Sequence, residues 1–220
     1  MTRATDTELL FEGGVLTAEG EDVSLTDAFA STVDDYEEVF TDCSDERTRA
    51  VHERIDDDEA LAEAFVELGE VDPRSVAELC ALSERLDAER ADAWLALLPV
   101  LRLFRPDPVP GHGAPAQAIP VAAECLPALT RVYSPALVYV WLDDCPPCES
   151  LSARLESTFE TPRGVSLFAV YGPRDRSFLD EEYSVTAGPA LLFMRDGTID
   201  ARLYGDQKGS VLRTELERLS

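Results

Sequence analysis

The apolar run Ala136-Leu137-Val138-Tyr139-Val140-Trp141 is short and unbroken. Six such residues, most of them β-branched or aromatic, predict a strand buried on both faces. A helical pattern precedes it, from Val121 to Val132, and another follows from Cys148 to Phe159. Further on, Val165 to Tyr171 predicts a strand and Asp175 to Tyr183 a polar helical stretch. Ala190 to Met194 and Ile199 to Tyr204 then predict two strands joined by a turn at Arg195-Asp196-Gly197. Gly209 to Leu219 closes the chain with a helix. This alternation defines an α/β domain, a central mixed sheet with helices on both faces.

The first hundred residues follow a different period. Apolar positions recur at three-to-four spacing over Asp56 to Glu70 and Pro73 to Leu86, and Thr26 or Thr32 can cap a helix running through Phe40. Ala91 to Phe104 is the most apolar of these segments and is the expected centre of this part, with Pro99 kinking or ending its helix. Gly14 to Thr17 and Val23 to Leu25, either side of Glu-Gly-Glu-Asp, predict a short hairpin. Between the two patterns lies RPDPVPGHGAPAQAIP, Arg105 to Pro120, with five prolines and two glycines. Proline removes backbone donors and blocks helix, so this is a linker or an extended surface strap. The expected organisation is a mostly α-helical domain over 1–104, a linker over 105–120 and an α/β domain over 121–220.

Composition narrows the setting. Hydrophobic residues make up 45% of the 220, as in a globular protein, yet 44 acidic residues face 19 basic ones, a net charge of −25. Lys208 is the single lysine. Carboxylates spread along the chain with lysine nearly absent suit a cytoplasm rich in salt, where the Debye length falls to about 3 Å and self-repulsion is screened. A halophilic source, such as a haloarchaeon, is the expectation. The same charge opposes nucleic-acid binding, which needs a basic face. No stretch has the apolar length of a membrane helix, and MTRATDTELLFEGG has no apolar signal core, so a cytoplasmic location is expected.

Five cysteines at irregular spacing do not form a structural disulfide framework. Cys80 sits in an apolar helical context and Cys125 in a short amphipathic one, and both read as buried small hydrophobes, whereas Cys43 in TDCSDE reads as exposed. His52 and His112, on a polar helix and in the linker, have no metal-ligand company. Trp94 and Trp141 read as packing. The acidic run Asp56 to Glu59 reads as a solvated helix start.

Cys145-Pro146-Pro147-Cys148 is different. Two thiols with two residues between them, at a strand-to-helix junction, can exchange between dithiol and disulfide without moving the chain. A helix N-terminus also favours the thiolate, the form that attacks disulfides. This pair makes thiol-disulfide exchange the leading expectation.

Over Ala122 to Ser220 the chain resembles the thioredoxin family. The resemblance rests on CxxC after the first long strand, an aromatic at Trp141 four residues before Cys145, and VTAGPALLF from Val185 to Phe193 followed by Asp196-Gly197. Gly205 and Gly209 ahead of the last helix add to it. It implies that Cys145 attacks a substrate disulfide and Cys148 resolves the mixed disulfide. It also implies that Pro189 is cis and exposes the backbone of Gly188 to an extended client, and that Trp141, Gly188 and Pro189 contact that client. Clients would be disulfide-bearing proteins, and the electrons would come from another protein or a small thiol, since no flavin or nucleotide fingerprint is visible; no cofactor or metal is expected.

Three positions depart from the family pattern. Tyr139 stands where a buried aspartate is usual, Asp144 replaces the tryptophan before the first cysteine, and Glu149 replaces a frequent lysine. Asp143, Asp144 and Glu149 disfavour the Cys145 thiolate by like charge, and the two prolines remove amides that could face the sulfur, leaving those of Cys148 and Glu149. A destabilised thiolate favours the disulfide, hence a reducing couple, with Asp144 as a candidate replacement base. The competing expectations are a redox-sensing adaptor acting through the N-terminal domain, without turnover, and a thiol chaperone holding one client.

Overall fold

The computed structural model describes residues 6–86, 91–106, 109–160 and 164–219. The chain divides into two compact units, Met1–Pro106 and Asp107–Ser220.

The first unit is mostly helical. Helix α1 (Asp6–Glu12) leads into a hairpin of β1 (Leu16–Glu19) and β2 (Asp22–Leu25), turned at Gly20 with φ of 70°. Then come α2 (Asp27–Asp42), α3 (Ser44–Arg54), α4 (Glu59–Val71), α5 (Pro73–Arg85) and α6 (Ala91–Leu101), which tightens into a 3-10 turn at Arg102–Phe104. Of the two capping threonines, Thr26 is used: its hydroxyl oxygen accepts the Phe29 amide. Asp58 caps α4 through the Leu61 amide, so the acidic run before it is a helix start. Cys43 sits half-buried at the α2–α3 junction.

The centre of this unit is α5, and not the more apolar Ala91–Phe104 segment. Every residue from Ser75 to Leu82 is buried, the pattern of a helix enclosed on all sides. Alanines at 77 and 81 and the small thiol of Cys80 let α2, α3, α4 and α6 close around it. α6 buries Leu97, Leu98 and Leu101, whereas Leu103 beyond it is 47% exposed. Total hydrophobicity is a poor guide here, because small side chains give the close approach that a centre needs. The side chain of Trp94 lies outside the described residues. Burial pushes the Cys80 thiol up to about 12, so it is inert.

The acids at the start of α5 and within it are paired. Asp72 and Glu78 bind Arg105 in two forks, with Arg105 Nη1 to Asp72 Oδ2 at 2.9 Å and Nη2 to Glu78 Oε2 at 2.7 Å. Arg102 Nη2 donates to Asp72 and to Ser75 Oγ, each at 2.6 Å. This network ties the end of the 3-10 turn to the start of α5.

The second unit is an α/β domain. Its elements are β3 (Ile119–Pro120), a 3-10 turn (Ala123–Cys125), α7 (Leu126–Val132), β4 (Ala136–Trp141), α8 (Pro146–Phe159), β5 (Ser166–Tyr171), α9 (Arg176–Tyr183), β6 (Ala190–Arg195), β7 (Thr198–Tyr204) and α10 (Gly209–Leu219). The sheet order is β3-β5-β4-β6-β7, with β3 and β4 parallel to β5 and both pairs beyond β4 antiparallel. β4 is central and wholly buried, as its apolar run requires. Its alternate residues Leu137, Tyr139 and Trp141 pack in one core with Leu151 and Leu155 of α8 and Leu212 and Leu216 of α10. Val138 and Val140 point to the opposite face, where α7 packs on β6.

One strand was not legible in the sequence. Ile119–Pro120 lies inside the proline-rich segment and adds a parallel edge to β5, opposite Phe168 and Ala169. Two residues give no periodicity to detect, and an edge position tolerates proline. The segment is a strap whose end joins the sheet. The fold class is therefore α/β, a mixed sheet flanked by helices, preceded by a mostly helical unit. Among the described residues no helix is long and apolar enough to cross a membrane.

Candidate dithiol site

β4 ends at Trp141 and α8 begins at Pro146, and the four residues between make a tight turn. Asp144 takes a left-handed conformation, φ of 47°, which aspartate tolerates better than most residues. Cys145 is the N-cap of α8, and Pro146 and Pro147 occupy the first helical turn, where proline's missing amide costs nothing. Cys145 and Cys148 are joined in a disulfide, their Cα atoms 5.2 Å apart. Cys145 is half-buried and Cys148 is 3% exposed, so the first sulfur is the one within a client's reach.

The amide of Cys148 points at Cys145 Sγ, 3.2 Å away. The same amide also donates to the Cys145 carbonyl at 2.8 Å, and the Glu149 amide reaches that carbonyl at 3.2 Å. Of the two amides the prolines leave free, one therefore faces the sulfur. Tyr139 fills the place expected for an acid: it is fully buried and its hydroxyl donates to the Cys148 carbonyl, 2.9 Å away. Burial pushes this phenol well up, so it cannot accept a proton at neutral pH.

The register of β4 and β6 places Val140 opposite Ala190. Gly188-Pro189 thus emerges at the same end of the sheet as the dithiol turn, and its peptide is cis. Among the described residues, the backbone groups of Thr186, Ala187 and Gly188 make no hydrogen bond. They border a groove of about 470 Å³ whose lining includes Leu142, Pro173, Arg176 and Gly188. A Cβ on Gly188 would lie 2.9 Å from Leu142 Cγ. Glycine here does not leave an empty site; Leu142 already fills the space.

Trp141 departs from its expected role. It is 1% exposed, because the strap runs over it. A Cβ on Gly113 would fall 2.3 Å from Trp141 Cε3, and His112 packs edge-on against the indole. A ring so covered cannot contact a client. Its Nε1 is buried and unpartnered. Gly113→Ala should therefore displace the strap and destabilise the second unit by about 1–3 kcal/mol, as overpacking of a dense core does; thermal unfolding followed by near-UV dichroism of Trp141 reads it.

Sequence reasoning named Asp143 beside this turn but missed the two side chains that engage it. His112 Nε2 lies 3.3 Å from Asp143 Oδ1, and the Tyr171 hydroxyl donates to the other carboxylate oxygen of Asp143. That hydrogen bond raises the Tyr171 phenol above its ordinary value. The segment holding His112 reads as linker, and only the path of the strap brings it to Asp143. Asp144 is exposed and makes no hydrogen bond among the described residues. No cluster of three or more potential metal ligands occurs among them either.

No family model matches the chain. Several solved structures are similar to it over about half its length. They include a point mutant of the thioredoxin from Halobacterium salinarum NRC-1, 19% identical over 48% of this chain and 94% of its own, with a TM-score of 0.41. The thioredoxin of Fasciola hepatica is 24% identical over 45% and 95%, also at 0.41. That of Malassezia sympodialis is 19% identical over 46% and 90%, again at 0.41. The second unit is itself a five-stranded mixed α/β domain with a disulfide-bonded CxxC pair following its central strand.

Proposed function

We propose that the chain is a thiol-disulfide oxidoreductase that reduces disulfides in client proteins. The observation that carries this reading is the bonded Cys145–Cys148 pair at the head of α8, with the open backbone of Thr186 to Gly188 at the same end of the sheet. In the reduced protein the Cys145 thiolate attacks one sulfur of a client disulfide. A mixed disulfide forms and the other client sulfur leaves as a thiolate, which takes a proton. Cys148, once deprotonated, attacks Cys145 Sγ; the Cys145–Cys148 bond forms and the second client thiolate departs. Two electrons have passed to the client, and a partner protein or small thiol must return them.

An extended client segment would pair with the free backbone groups before Pro189 and lie in the groove beside them, as strand addition requires. The amide of Cys148 supplies one donor to the Cys145 thiolate, while Asp143, Asp144 and Glu149 oppose it. That balance favours a reducing couple, with a potential below about −200 mV. Insulin reduction in concentrated salt, with dithiothreitol as donor, tests the function: turnover precipitates the B chain, and no precipitation above the dithiothreitol background would reject it.

The proton from Cys148 needs an acceptor, which Tyr139 cannot be. Asp144 is the proposed one, directly or through water. Asparagine tolerates the same left-handed backbone, so Asp144→Asn tests the role cleanly. It should slow decay of the mixed disulfide about tenfold or more, measured by quenched-flow mass analysis; an unchanged rate removes Asp144 from the mechanism.

A second reading has one observation in its favour. Tyr139, a buried phenol, stands where an acid would deprotonate Cys148, and slow resolution would suit a sensor that changes state once and signals through the N-terminal unit. The insulin assay separates the two, because a sensor without turnover precipitates nothing.

A further inference from the structure

The strap sets a titratable side chain beside the dithiol turn that the exchange chemistry leaves unused. The His112 and Trp141 ring centroids are 4.6 Å apart, and Tyr171 packs on the same indole at 4.7 Å. Between them, Asp143 engages His112 with one oxygen and Tyr171 with the other. Side chains from the strap, the end of β5 and the loop after β4 thus converge over one buried ring. Asp143 is two residues from Cys145, and only a glycine at 113 lets the strap come this close.

We propose that His112 is a positioning residue of the dithiol site, holding Asp143 and favouring the Cys145 thiolate whenever its imidazole is protonated. The inference rests on Cys145 being the attacking thiol. Three carboxylates, Asp143, Asp144 and Glu149, lie within four positions of that thiol in the sequence, and like charge there disfavours its ionisation. An imidazolium on Asp143 cancels one of them, whereas a neutral imidazole keeps the hydrogen bond and adds no charge. Imidazole is the side chain that changes charge between about pH 5 and 8. The coupling is reciprocal, so thiolate formation also favours the imidazolium.

Other charges near the strap are accounted for. Glu156 of α8 accepts the Ala116 amide at 3.2 Å, further along the strap, and Arg174 pairs with Asp175 at 3.8 Å just after Tyr171. Asp144 and Glu149 lie beside the cysteines. The loop Val185 to Pro189 carries no titratable group. Among the described residues Asp143 makes the polar contact to the imidazole from these elements, and the Tyr171 ring lies 6.3 Å from it, centroid to centroid.

The test is the alkylation rate of Cys145 by iodoacetamide between pH 5 and 9. It uses the reduced full chain carrying Cys148→Ser, with and without His112→Gln, read by peptide mass. Glutamine keeps a donor for Asp143, and the His112 side chain is 69% exposed, so the fold is retained; His52 is present in both proteins as a control. In 50 mM KCl the acid limb with His112 should lie roughly two- to fivefold above that with glutamine, the range of an exposed charge pair. The two limbs should merge as the imidazole deprotonates, and 2 M KCl should close the gap. Superimposed limbs in 50 mM KCl, an offset constant across pH, or a gap that survives 2 M KCl would each overturn the proposal. Alkylation reads the thiolate without turnover. A chain that fails to reduce insulin can therefore still show the gap, and one that reduces insulin can lack it.

Discussion

Cys145→Ala should abolish insulin reduction, leaving only the rate of the added dithiol, while Cys148→Ser should convert the protein into a trap. The asymmetry follows from position. Cys145 caps α8 with its sulfur half-exposed and facing the Cys148 amide, so it alone can be reached by a client. Cys148 is buried beneath it and can reach nothing but Cys145 Sγ. Without Cys148 the first attack still occurs, the client's leaving thiolate still departs, and the mixed disulfide has no internal nucleophile to break it. Mass analysis of the purified Cys148→Ser protein after incubation with oxidised client should show a covalent adduct at Cys145 that dithiothreitol removes. If both variants retain turnover, or if adducts form at Cys148 in Cys145→Ala, the assignment of roles is wrong.

The largest effect on stability is expected in the other unit, at Asp72. Its carboxylate accepts from Arg102, Arg105 and Ser75 while 11% of its side chain is exposed. Burial by itself would raise this carboxyl, but Arg102, Arg105 and the hydrogen bonds outweigh it and hold it down at about 2. Asp72→Ala strands the buried Arg102 guanidinium and leaves Arg105 to Glu78 alone, and should destabilise the unit by about 3–5 kcal/mol, read from denaturant unfolding followed at 222 nm. The pH dependence has a definite sign. A carboxyl depressed in the folded state contributes stability above its unfolded value, near 3.8, and loses it as pH falls towards 2. That contribution, about 2 kcal/mol, should vanish from the acid limb in Asp72→Ala. An unchanged acid limb would show that the network does not stabilise this unit.

Much of the second unit was legible because each of its elements carries its own signal. Ala136–Trp141 is continuously apolar, Asp196-Gly197 supplies the two positive φ angles of a tight hairpin, and Cys145 to Cys148 marks the strand-to-helix junction. What escaped detection depends on contacts far apart in sequence. The partnership of His112 with Asp143 spans 31 positions and a proline-rich segment without periodicity. The burial of Trp141 likewise depends on a glycine that has no local reason to be there. In the first unit, hydrophobicity pointed to Ala91–Phe104. The centre fell to α5 because its small side chains admit close neighbours and Arg105 pairs with its buried Glu78, neither of which a hydropathy pattern registers.

The position before a cis proline carries no side chain of its own here, and Leu142, just past the end of the neighbouring strand, projects into the space. On the proposed function, selectivity for a client's residue at that point would fall to Leu142, in another part of the chain. Variation at 142 should change which clients are processed, while a larger residue at 188 should be tolerated only together with a smaller one at 142. The two positions form a single unit of volume, and neither can be redesigned alone.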